Sequence, residues 1–233
     1  MRRAFACAGL LMLAGCAGQL KPANPLFLGS SGMLSDFRVP VASMRALKFD
    51  TVVHQQYDFS CGSAALATLL RYHYGLPRTE ADVFAGMWRE GDQAHIRQVG
   101  FSLLDMKRYL AEQHLHADGY RVSLDAIAKR GLPGIALITI KGYRHFVVLK
   151  GIDRYSVLIG DPSLGLRTVS RDAFQRMWNG IYFVLTSDTA EGARNFNSPR
   201  QWAVYARAPL GDPFLEPLSL QALALTAPFY RDF

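Results

Sequence analysis

The chain has 233 residues, half of them hydrophobic and 19% charged, a balance that suits a globular protein and excludes a disordered or fibrous one. The formal net charge is +7, and setting aside Arg2 and Arg3 of a removable leader leaves +5. The basic residues are scattered, with Lys107-Arg108 and Lys129-Arg130 as pairs and no run of five, so the clustered footprint of a nucleic-acid-binding protein is missing.

The first residues carry the pattern of an export signal. Met1-Arg2-Arg3 is a short positive start, Ala4 to Leu13 is apolar, and Leu13-Ala14-Gly15-Cys16 closes the stretch with small residues. It is too short to span a bilayer. The ending Leu-Ala-Gly-Cys resembles a bacterial lipoprotein signal, which makes Cys16 the expected first mature residue and lipid attachment point. An ordinary secretory signal cut after Ala14 or Ala17 is the alternative, and Arg2-Arg3 reads as a plain basic start rather than a twin-arginine signal. Either way the chain is expected in the periplasm, anchored to a membrane if Cys16 is acylated.

Residues 16–47 are rich in Gly, Ser, Pro and Ala, include Gly29-Ser30-Ser31-Gly32, and show no sustained period. They read as a linker, and about thirty flexible residues reach roughly 30 Å. A body spanning residues 48–187 begins with an apolar piece, Phe49 to Val53. From Cys61, apolar residues at Ala64, Ala65, Leu66, Leu69, Leu70 and Tyr74 predict a three-turn helix that Gly75 and Pro77 end. Thr79 with Asp82 predicts a cap for a second helix through Trp88. Ser102-Leu103-Leu104-Asp105 resembles a capping box opening a third to about His114, and Ser123 to Arg130 predicts a short fourth, closed by Gly131 and Pro133.

The period then changes. Ile135 to Ile140, His145 to Ile152 and Ser156 to Ile159 are apolar, β-branched runs, split by Lys141-Gly142-Tyr143-Arg144 and by Asp153-Arg154, the signature of successive hairpins. A short strand near Leu166 to Val169, a helix from Arg171 to Trp178 and a last strand from Ile181 to Leu185 follow. Helices first and antiparallel strands afterwards predict an α+β fold. Residues 188–233 form an extension with five aromatics between Trp202 and Tyr230, expected to pack on the body, with a partner-binding tail as the alternative. There is no internal repeat.

Three cysteines occur, Cys7, Cys16 and Cys61. Cys7 leaves with a leader and Cys16 is acylated or beside the cut, so Cys61 stands alone in the folded part and no disulfide can form there. A free cysteine is usually a small buried hydrophobe. Its surroundings argue for more, because a sulfur at a helix start meets the dipole and unpaired N–H groups that favour thiolate. The same N–H groups can bind an oxyanion, and Gln55 offers a second donor, with Gln56 as its rival. His145, opening an apolar run, is the natural base. Asp161 follows one strand later, where a hairpin returns the chain beside His145, and a carboxylate there would fix the imidazole tautomer. Asp161-Pro162-Ser163-Leu164-Gly165 is equally an ordinary turn sequence. His114 and His116 lack a third ligand at metal spacing, and His54, His73 and His95 have no evident partners. No glycine loop for a phosphate and no dinucleotide fingerprint appears, so neither cofactor nor metal is called for.

Gln55 through Cys61-Gly62-Ser63-Ala64, His145-Phe146-Val147-Val148-Leu149, Asp161 through Gly165, and Trp178-Asn179-Gly180 occur in that order over residues 50–186. Together they resemble the bacteriocin-processing, papain-like cysteine peptidases that trim double-glycine leaders. The resemblance implies a papain-like fold, N-terminal helices packed on a C-terminal antiparallel sheet, with Cys61 as nucleophile, His145 as base, Asp161 as its orienting acid and Gln55 in the oxyanion hole. The family commonly carries Asp directly before the cysteine, where this chain has Ser60. Many relatives are domains of ABC exporters, whereas the leader here resembles stand-alone exported members that accompany secretion systems, including those for functional amyloid. The implied activity is an endopeptidase acting on a peptide or protein client, a secretion component or fibre subunit. Two other readings share the fold: a peptide-binding secretion-accessory module without catalysis, and an acyl or glutaminyl transferase in which an amine replaces water.

Overall fold

The computed structural model describes residues 42–205; the leader, Cys16, the linker up to residue 41 and residues 206–233 lie outside them. The first helix, α1 (Met44–Phe49), falls across the end of the expected linker, with Ser43 Oγ accepting from the Ala46 amide at 3.1 Å. The apolar piece expected from Phe49 to Val53 is therefore a helix end and a turn, of which only Val52 is fully buried.

Helix α2 (Cys61–His73) forms as its apolar spacing predicts, and every residue from Cys61 to Leu70 is buried. It is the central helix. Helices α3 (Glu80–Glu90) and α5 (Leu103–Glu112) both open on true capping boxes, Thr79 with Asp82 and Ser102 with Asp105. Between them lies α4 (Gln93–Val99), which the sequence pattern does not announce: it has seven residues and buries only Ile96. A single buried side chain gives no period to detect. Strand β1 (Ala117–Arg121) was equally silent, since four of its five residues are not buried and it lies at a sheet edge. Helix α6 (Leu124–Arg130) starts at Ser123 and stops at Gly131, as expected.

The remaining strands are β2 (Gly134–Ile140), β3 (Tyr143–Ile152), β4 (Ser156–Asp161), β5 (Gly165–Ser170) and β6 (Trp178–Leu185), with α7 (Arg171–Met177) between the last two. They form a six-stranded sheet in the order β1-β6-β2-β3-β4-β5, with every neighbouring pair antiparallel. The β2–β3 turn is tighter than the four residues the sequence suggested. Lys141 and Gly142 alone make it, both at positive φ (50° and 82°), as a two-residue hairpin with matched twist requires.

Side chains alternate along β3. Phe146 and Val148 join α2, α3 and α5 in one core, while Val147 and Leu149 join α6 and α7 in a second core on the other face. The sheet is therefore covered on both faces, and only the first layer comes from the N-terminal helices. Residues 188–205 pack on the body: in helix α8 (Thr189–Arg194) Gly192 closes against the Tyr74 ring, and beyond it the Asn195 amide donates to the His73 carbonyl and Asn197 bonds both Lys150 and Ile152. Helix α9 (Pro199–Ala203) ends the described chain but for two residues.

Under this packing lies Lys150, fully buried. Its Nζ donates to the Thr51 carbonyl at 3.0 Å and lies 3.1 Å from His73 Nε2. Burial pulls the Lys150 amine down to about 7, and burial together with the Lys150 charge holds His73 well below its usual value. His73, without an evident partner in the sequence, thus has one 77 residues away.

Candidate active site

Ser60 occupies the N-cap position of α2, its carbonyl accepting from the Ala64 amide at 3.1 Å, yet its hydroxyl does not cap the helix. It accepts from the Tyr57 amide at 3.1 Å and faces the Glu80 carboxylate at 2.5 Å and the Tyr57 carbonyl at 3.0 Å. Serine can cap a helix with its oxygen, but here that oxygen is turned to the Tyr57 amide and its proton to Glu80. Cys61 is the first residue of the helix and is 6% exposed at the wall of a cleft. Gly62 lets the helix start approach that wall: a Cβ there would lie 3.0 Å from Met106 Cε and 3.1 Å from Phe101 Cβ.

His145 is the third residue of β3, and Asp161 is the last of β4. The register pairs Val148 with Gly160, so the hairpin returns Asp161 to within two residues of the level of His145, near enough for their side chains to meet as the spacing predicts. The ring Nε2 lies 2.7 Å from Asp161 Oδ1, both groups being buried. The ring Nδ1 is buried without an aligned partner. No hydrogen bond joins that nitrogen to Cys61 in this geometry, although Cys61 is among the groups that raise the ring's pKa; catalytic contacts often align only once substrate is bound. Burial, the largest single influence on His145, pulls its pKa down, but Asp161 and Cys61 together raise it to about 9.

Asp161 serves the turn and the histidine with the same atom. Its Oδ1 also accepts from the Ser163 and Leu164 amides at 2.9 and 3.2 Å, closing the turn that the sequence Asp-Pro-Ser-Leu-Gly suggested. The other oxygen, Oδ2, accepts from Arg167 Nε at 3.2 Å, with Arg167 Nη2 at 3.1 Å. Burial pushes this carboxyl up, but the His145 bond and charge, the Ser163 amide and Arg167 together hold it below its ordinary value. Arg167 carried no signal in the sequence, since an arginine in a strand is usually a solvated one.

Gln55 is laced to the same turn. Its amide donates to the Pro162 carbonyl at 3.0 Å, its Oε1 accepts from Ser163 Oγ at 2.9 Å, and its Nε2 donates to the Tyr57 carbonyl at 3.1 Å. One Nε2 proton remains free. Gln56 is exposed, and its backbone N–H donates to Glu80 at 3.3 Å. Of the two glutamines, only Gln55 sits with its side chain on the Asp161 turn. Across the cleft, the Tyr143 hydroxyl donates to the Asp58 carbonyl at 2.8 Å, and its ring centroid lies 6.1 Å from that of His145. Burial first, then the charges of Cys61 and Asp58, raise the Tyr143 hydroxyl.

The cleft has a volume of about 740 Å³. Phe101, Leu137 and Phe146 form apolar walls, and Arg97, Arg144 and His95 stand at its edge. A peptide strand laid here would present a carbonyl to a sulfur at a helix start, with an imidazole held by a carboxylate beside it. That arrangement can carry acyl transfer through a thioester.

Residues 50–190 match the Peptidase C39 family. A probable functional amyloid protease, FapD, of Pseudomonas fluorescens is 40% identical over 199 residues, covering 85% of this chain and 86% of its own. The FapD of Pseudomonas aeruginosa, described in the same words, is 43% identical over 145 residues, 62% of this chain and 64% of its own. The crystal structure of the peptidase domain of Streptococcus ComA, a bifunctional ABC transporter, superposes with a TM-score of 0.50 at 21% identity, covering 58% of this chain and 96% of that one; the likeness is one of fold.

Proposed function

We propose that this chain, which belongs to the peptidase C39 family and is a cysteine peptidase, is an exported endopeptidase that cleaves a component or fibre subunit of a secretion system for functional amyloid. Residues 1–15 are its signal peptide, Cys16 its lipid anchor to a membrane facing the periplasm, residues 16–47 the tether, 48–187 the peptidase domain and 188–233 an extension.

The observation that supports the chemistry is the disposition of one imidazole, with Nε2 2.7 Å from Asp161 and Nδ1 buried without a partner; in this reading Nδ1 serves Cys61. The Cys61 thiolate attacks the scissile carbonyl, forming the C–S bond. The Cys61 backbone N–H and the free Nε2 proton of Gln55 receive the oxyanion. As the C–N bond breaks, His145 gives its proton to the leaving amine. Water, deprotonated by His145, then cleaves the thioester and returns the sulfur. Asp161 keeps the ring in the tautomer and orientation both steps need. The support for the client is the leader pattern together with the similarity to FapD.

The test compares the exported proteins of cells carrying the wild type with those carrying Cys61→Ser. New N-termini in an amyloid-system protein, present in the first and absent in the second, are expected, as is palmitate incorporation that Cys16→Ala abolishes. Identical N-termini in both strains would refute the peptidase assignment to this client.

A further inference from the structure

Glu80 is the first residue of α3, where a carboxylate ordinarily stands in water. Here it is 4% exposed. The helix does not need it, because Thr79 and Asp82 already complete the capping box. Among the described residues no cation lies within ion-pair distance of it. Its partners are instead Ser60 Oγ at 2.5 Å and the Gln56 amide at 3.3 Å, both in the segment that leads into Cys61. A buried acid that its own helix does not use and a cap residue that does not cap are explained by the same bond.

The bond matters because of a proton count. Three donors stand within reach of the Tyr57 carbonyl: Gln55 Nε2 at 3.1 Å, the Ser60 amide at 3.1 Å and the Ser60 hydroxyl at 3.0 Å. A carbonyl oxygen has two lone pairs, and a hydroxyl has one proton. When that proton goes to Glu80 Oε1, the carbonyl is left to the Ser60 amide and the Gln55 side chain. Without the acid, the hydroxyl turns to the carbonyl and competes with Gln55.

We propose that Glu80 is a positioning residue for the oxyanion site, taking the Ser60 proton so that the Tyr57 carbonyl fixes the Gln55 amide. The inference rests on the reading of Gln55 given above. It extends that reading to a residue that touches neither substrate nor sulfur.

Two probes separate the oxyanion site from the nucleophile. Addition of Cys61 to a peptide aldehyde ending in glycinal forms a C–S bond and puts the former carbonyl oxygen among the oxyanion donors. Iodoacetamide forms a C–S bond and releases iodide, with no oxyanion. In the full-length protein, Glu80→Leu is expected to weaken aldehyde binding about tenfold or more while alkylation stays within about threefold. Glu80→Gln, nearly isosteric and retained in case the leucine variant does not fold, is expected to lose about threefold or more in aldehyde affinity. Ser60→Asp combined with Glu80→Leu is expected to restore binding, since an aspartate at position 60 accepts from the Tyr57 amide and has no proton to offer the carbonyl. Wild-type aldehyde affinity in Glu80→Leu and Glu80→Gln overturns the proposal, as does a parallel loss of both reactions. Neither result touches the peptidase assignment, which falls only with unchanged client processing in Cys61→Ser.

Discussion

Replacing Asp161 by Asn tests the buried pair at its centre. The shift of His145 from 6.5 to about 9 corresponds, at about 1.4 kcal/mol per pH unit, to about 3 kcal/mol favouring the imidazolium in the folded state. Because the folded value is raised, this stabilisation is complete below pH 6.5 and is lost as pH rises through about 9. With the carboxylate gone, burial, the largest single influence, is opposed by Cys61 alone, and the ring midpoint should fall toward 6.5. Two measurements check this. Nuclear magnetic resonance of the ring Cε1–H should place the wild-type midpoint near 9 and the variant's at least about two pH units lower. Urea unfolding at a series of pH values should show a stability gap between the two proteins that shrinks by about 3 kcal/mol from about pH 6 to pH 10. A wild-type midpoint near 6.5, or a gap that does not change with pH, would refute the account of this site.

Gln55→Ala should lower kcat by about 10²-fold or more with little change in KM, measured on the processed client, because a lost oxyanion donor acts only in the transition state. Gly62→Ala should destabilise the protein by about 1–3 kcal/mol in denaturant unfolding and slow alkylation of Cys61, since its methyl meets Met106 and Phe101 at 3.0 and 3.1 Å. Lys150→Met should raise stability at pH 6 by about 2–4 kcal/mol in the same assay. The folded pKa of Lys150 is depressed to about 7, so the charge costs stability below that pH and the gain fades toward pH 10.5.

The groups legible in the sequence were those whose chemistry and local pattern agree. Cys61 stood at the head of an apolar helix, and the strands carrying His145 and Asp161 had to be consecutive because only a short turn separates them. The covering of the second sheet face was harder to read, since α6 and α7 have seven residues each and short helices take their stability from the sheet rather than from their own pattern. Arg167, Tyr143 and Glu80 were illegible for a different reason. Each is of a type common on surfaces, and each acquires its place only from the fold, Glu80 from 20 residues away and Tyr143 from 85. Lys150 contradicts its own residue type outright, because lysine is almost never fully buried.

One oxygen, Asp161 Oδ1, accepts from two amides of its own loop and stands against the His145 ring. Hairpin closure and assembly of the hydrolytic apparatus are consequently one event. A chain that has not yet folded past β4 therefore lacks the carboxylate that holds this ring.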